Sequence, residues 1–117
     1  MYEGYSIGKK RAAKRLVKII LSDPDNMISV YDGEEWAVKR SRNTKDILDA
    51  LGNTDCDDIN VRSRSTEELE LAGNFRRKGW FSLIWCNSED GSDLISDYLD
   101  NEFCDNVWNE WMDGYYE

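Results

Sequence analysis

The side chains of this chain that could do chemistry are carboxylates and thiols: its 117 residues include 24 Asp and Glu and three Cys, but no His. Without imidazole there is no Ser-His or Cys-His dyad, no histidine general base and no His-containing zinc site. Asn53-Thr54-Asp55-Cys56-Asp57-Asp58 begins like a calcium loop, with oxygen ligands at alternate positions. Its sixth position is Asp58, where such a loop needs a turn-making Gly, and its twelfth is Arg64 instead of a bidentate Glu. The expected role of these side chains is therefore to hydrogen-bond local backbone in a turn. Asp90, Asp93, Asp97 and Asp100 have the chemistry of magnesium ligands that activate water, but no base accompanies them and no Lys or Arg follows residue 78. Cys56, Cys86 and Cys104 have no CxxC spacing, and Cys86 and Cys104 sit in apolar patterns, so buried, inert thiols are expected. The expectation is a non-enzymatic chain with no metal and no cofactor.

Charge is the stronger signal. Residues 1–79 hold all 15 Lys and Arg with 14 acids, a net of +1. Residues 80–117 hold the other ten acids and no cation, so the net charge of −9 is the sum of a nearly neutral body and a purely acidic end. The odd cysteine count and missing motif argue against a disulfide framework and favour a reducing cytoplasm. Lys18 interrupts the apolar run Leu16–Leu21, so the N-terminus does not read as a signal peptide, and no run reaches the roughly 18 apolar residues of a membrane span.

The elements that position these residues follow from periodicity. Over residues 8–21, at about 100° per residue, Ile19, Ala12, Leu16, Ile20, Ala13 and Val17 fill one arc. Lys10, Arg11, Lys14, Arg15 and Lys18 fill the opposite one, with Lys9 out of place. Asp23-Pro24 ends this helix. Residues 27–40 read as a hairpin around Asp32-Gly33, and a three-residue loop (32–34) pairs Val30 with Trp36 and Ile28 with Val38, gathering the apolar side chains. A short helix is predicted over Thr44–Leu51, capped by Asn43 or Thr44 and stopped at a left-handed Gly52. Asp58–Ser63 alternates as a half-buried strand, residues 64–79 suit strand or helix, and Trp80–Cys86, apolar on both faces, is a central strand. Leu94–Tyr98 reads as a returning strand. Glu102–Met112 reads as an acidic helix with Phe103, Cys104, Val107, Trp108, Trp111 and Met112 inside and Asp105, Asn106, Asn109, Glu110 and Asp113 outside. The predicted fold is a single α+β domain spanning 1–117. It has a small antiparallel sheet of four to five strands, a basic N-terminal amphipathic helix, a short middle helix and an acidic C-terminal amphipathic helix.

GWFSLIWCN at 79–87 and LISDYLDN at 94–101, preceded by ALGNTDCDDINVR at 50–62, form a pattern that resembles small accessory proteins of enterobacterial phages and prophages. The resemblance covers roughly residues 27–101 and carries no functional residues over. It implies a phage-encoded modulator of a host or defence protein, a class in which acidic nucleic-acid mimics recur.

The leading expectation is an interaction protein acting in the cytoplasm of an infected or lysogenic bacterium. Its acidic face, chiefly Asp93, Asp97, Asp100, Glu102, Asp105, Glu110 and Asp113, occludes a basic, nucleic-acid-binding site on a host or defence protein. Duplex DNA carries about one charge per 1.7 Å of axis, so ten carboxylates can imitate a short stretch of it. Tyr115 and Tyr116 are candidate interface anchors. The alternative is a nucleic-acid-binding module using Lys10, Arg11, Lys14, Arg15 and Lys18, with Lys39, Arg40, Arg42 and Lys45 further along the chain. A third reading is a carboxylate-metal hydrolase.

Overall fold

The computed structural model describes residues 3–24, 26–63 and 80–97, together with Val107 and Asn109. Helix α1 (Ile7–Leu21) starts where the Ser6 side chain accepts the Lys9 N–H at 3.3 Å, satisfying one donor of the open first turn. Its apolar arc is buried: Ala12, Ala13, Leu16, Val17 and Ile20 are nearly sealed from water. The helix ends with Ser22, whose N–H and hydroxyl both reach Ile19 O, two residues before Pro24.

Strands β1 (Asn26–Tyr31) and β2 (Trp36–Ser41) form the expected hairpin in a different register. The observed partners are Tyr31↔Trp36, Val30↔Val38 and Ile28↔Ser41, not Val30↔Trp36 and Ile28↔Val38. The turn sets this. Asp32 Oδ1 accepts the N–H groups of Glu34 and Glu35, each at 2.9 Å, and the Asp32 N–H donates to Glu35 O. That closes a four-residue turn in which Gly33 alone adopts positive φ. Two register shifts then correct the phase, one bringing Val38 against the core and the other leaving Arg40 at φ 45°. Trp36 consequently leaves the apolar face, stands 43% exposed and meets Tyr31 at a tilt of 59°, with ring centroids 5.2 Å apart.

Helix α2 (Thr44–Leu51) is capped by Asn43, whose Oδ1 accepts the Asp46 N–H at 3.1 Å. Gly52 ends it, but at φ −91°, in the right-handed region, so the expected left-handed stop is not what glycine supplies. The reason is space: a Cβ at Gly52 would lie 2.6 Å from two ring carbons of Tyr5. That ring is buried here and its hydroxyl donates to Leu48 O.

Strands β3 (Cys56–Ser63), β4 (Trp80–Cys86) and β5 (Ile95–Asp97), the last preceded by a 3-10 turn (Gly91–Leu94), complete a five-stranded sheet in the order β2-β1-β3-β4-β5. Every neighbouring pair is antiparallel. The returning strand thus begins at Ile95, one residue later than predicted, and Trp80–Cys86 is an interior strand between β3 and β5. Register aligns Val30, Ile59 and Leu83 in one row and Ile28 and Val61 in the next, and these side chains are at most 1% exposed. Both helices pack on this face, which makes a two-layer α+β fold. Val107 is also buried in this core, and Asn109 is exposed. The opposite face is more polar, with Ser29, Asn60 and Ser82 in one row and Tyr31, Asp58 and Ile84 in the next. The ambiguous segment 64–79 and the other residues of the predicted helix Glu102–Met112 lie outside the described residues. Among those described, no helix is long and apolar enough to cross a membrane.

Candidate functional site: a cationic helix face and the junction with the acidic end

Because α1 buries one arc, its cations must lie on the other. Lys10, Arg11, Lys14 and Lys18 are exposed, and Arg15 is half-buried. Two adjoining shallow depressions run between this face and α2. One is lined by Lys10, Lys14, Thr44, Lys45, Leu48 and Asp49, the other by Lys14, Lys18, Leu21, Ser22 and Thr44. Lys45 projects into the first and forms an i,i+4 pair with Asp49 at 3.0 Å, and this hydrogen bond raises its pKa. The two helices therefore hold at least four ammonium groups along one groove.

Two other cations are committed to the fold. Lys9, out of phase with the stripe, turns inward: its Nζ donates to Asn87 O and lies 3.6 Å from Asp90 Oδ1, and its side chain is only 13% exposed. Arg42 does not join the phosphate-gripping set suggested by its charge. Its guanidinium takes the carbonyls of Leu21, Asp23 and Asn26, closing the C-terminal end of α1, where a cation also suits the helix dipole.

The junction with the acidic end is built on Asn87. Trp85 Nε1–H donates to Asn87 Oδ1 at 2.7 Å, and Asn87 Nδ2 donates to Leu51 O at 2.8 Å and Thr54 O at 2.9 Å. Its backbone N–H reaches Asp55 O at 2.7 Å. Fully buried, this side chain ties α2, the α2–β3 turn and β4 together. The carboxylates that resemble a calcium loop are used in the same way. Asp55 Oδ1 accepts the Ser88 N–H at 2.8 Å, and Asp57 Oδ1 accepts the Thr54 hydroxyl.

Asp57 is the anomaly of the junction. It is 1% exposed, opposite Trp85 on the core face, and its Oδ2 has no hydrogen-bond partner among the described residues. Burial pushes its pKa up to about 6; the Thr54 hydrogen bond opposes the rise, and the charges of Asp32, Asp58 and Asp55 add to it. Nothing in the sequence marked this carboxylate apart from its neighbours, because its burial depends on the β3–β4 register.

Of the acidic-face residues, Asp93 is exposed in the 3-10 turn and Asp97 ends β5. Asp100, Glu102, Asp105, Glu110 and Asp113, like Tyr115 and Tyr116, lie outside the described residues. Among those described, Trp36 is an exposed aromatic packed on the half-buried Tyr31, and the turn geometry, not the hydrophobic pattern, brings it to the surface. No family model, curated protein or solved structure matches this chain.

Proposed function

We propose that this is a non-enzymatic interaction protein whose acidic end is displayed to a basic, nucleic-acid-binding site on a partner protein and competes there with nucleic acid. The charge layout supports this reading: residues 80–117 hold ten acids and no cation, and Lys10, Arg11, Lys14 and Lys18 face solvent. Among the described residues, Lys9 is the cation that meets an acid of that end, Asp90. Glu89, Asp90 and Asp93 are exposed where the body hands over to that end. Opposite fields steer such encounters, so association is fast and falls with salt. The test is capture of basic proteins from enterobacterial lysate by the full chain at low and high salt. Capture should be lost at high salt and on combined reversal of Asp105, Glu110 and Asp113 to Lys; insensitivity to both sinks the proposal.

A second reading rests on the lysine-lined groove between α1 and α2, which suits a phosphate backbone. A gel-shift titration with duplex DNA and with RNA separates the two. Binding at moderate salt that disappears in Lys14→Glu/Lys18→Glu favours the groove, and no binding favours the acidic end.

A further inference from the structure

Cys56 opens β3 and Cys86 closes β4, and they stand directly opposite each other in the antiparallel ladder. One residue outward, the Asn87 N–H donates to Asp55 O at 2.7 Å. In an antiparallel ladder this bond flanks a non-hydrogen-bonded pair, so the two cysteines occupy the position where facing side chains approach most closely. At such a pair the Cα atoms are about 4.5 Å apart, inside the range a disulfide can span and at its short end. The side chains lie on the face of the sheet away from the two helices, because Asp57 and Trp85, the next residues along each strand, point into the core. Cys56 is exposed and Cys86 half-buried, and the nearby Cys56 thiol is among the groups that raise the Cys86 pKa. The expectation of buried thiols therefore fails for the exposed Cys56 and holds only in part for Cys86, which the β3–β4 register carries to the outer face.

We propose that Cys56 and Cys86 form a redox-responsive dithiol that closes to a cross-strand disulfide by exchange with a small disulfide oxidant. The exposed Cys56, as thiolate, attacks one sulfur of the oxidant RSSR, forming Cys56–S–SR and releasing one thiolate. Cys86 then gives its proton to solvent and attacks the Cys56 sulfur, expelling the second thiolate. Two electrons and two protons pass from the protein to the oxidant, which leaves as two thiols. Burial, the Cys56 thiol and the charges of Asp55 and Glu89 push the Cys86 pKa up to about 12, so Cys86 is the resolving rather than the attacking thiol. The same anionic surroundings and the net charge of −9 favour a neutral disulfide over an anionic one. Cys56 is exposed, so the bond stays open to attack by a small thiol, which makes the clip reversible.

The test uses the full chain with 2-hydroxyethyl disulfide as oxidant, read by thiol titration, intact mass and non-reducing peptide mapping. The expected result is loss of two of the three titratable thiols and a fall of about 2 Da in mass. Peptide mapping should place the linkage at Cys56–Cys86, and dithiothreitol should reverse it. C104S should behave the same way, C86S should stop at the mixed adduct on Cys56, and C56S should form no intramolecular bond. Persistent mixed adducts in the unmodified chain, a bond that includes Cys104, or a disulfide between two copies each overturns the proposal.

Discussion

Asn87 and Asp57 are buried polar side chains at the same end of the sheet, and they have opposite energetic signs. Asn87 uses its amide fully, taking one donor and giving to two carbonyls, so its burial costs little and unites three segments. Asp57 has one oxygen matched to Thr54 and the other unmatched, so every unit of charge it holds is held at a cost. The difference lies in stoichiometry rather than polarity: a buried group stabilises when its neighbours complete its bonding capacity and destabilises when they do not.

The comparison breaks most visibly at Asn87. Asn87→Ala strands Trp85 Nε1 and two carbonyls, and it should lower unfolding free energy by about 3 kcal/mol or more, measured by urea denaturation. If the loss is under about 1 kcal/mol, water replaces the amide and the contrast with Asp57 collapses. A purely steric control at the same end is Gly52→Ala. There the Tyr5 ring must give way, and a loss of about 1–3 kcal/mol is expected without any polar group being touched.

At Asp57 the sign should reverse. Asp57→Asn removes a charge the fold holds unfavourably and should raise stability at pH 8 by about 1–2 kcal/mol. The folded state binds this proton more tightly than the unfolded chain, so the native protein should gain stability as pH falls from about 6 towards 4 and lose it again as pH rises through that window. Burial raises the Asp58 pKa as well, which adds in the same direction. Asp32 works oppositely: hydrogen bonds from the Glu35 and Glu34 N–H groups lower its pKa, and its contribution is lost only as pH falls through that depressed value. Urea midpoints at pH 5 and 8 for the native chain and Asp57→Asn check this, and the variant should show the flatter dependence. The smallest effect belongs to the α1 surface. Lys14→Glu, in a solvated side chain without an ion pair among the described residues, should change stability by under about 0.5 kcal/mol.

Elements that rest on local pattern were legible in the residues. The α1 arcs separate at helical periodicity, Asn43 caps α2, and Trp80–Cys86 is apolar on both faces because it lies inside the sheet. Features that depend on counting residues between partners were not legible. The β1–β2 register turned on Asp32 bonding two N–H groups rather than one, and that extra residue sent Trp36 to the outer face. The same limit hid the site chemistry. Cys56 and Cys86 are 30 residues apart, and only the β3–β4 ladder makes them neighbours. The commitment of Lys9 and Arg42 to backbone carbonyls was equally hidden, because charge pattern does not distinguish a solvated cation from a cap.

The two shifts in the β1–β2 ladder have a consequence for how this molecule meets its own copies. β2 is an edge strand, and a straight edge offers an unbroken row of free N–H and C=O groups on which another strand can grow. Here the row is interrupted twice within six residues, Arg40 turns at positive φ, and Lys39 and Arg40 put like charges where a second β2 would lie. The sheet is thereby left open to solvent along that edge but closed to self-templated growth.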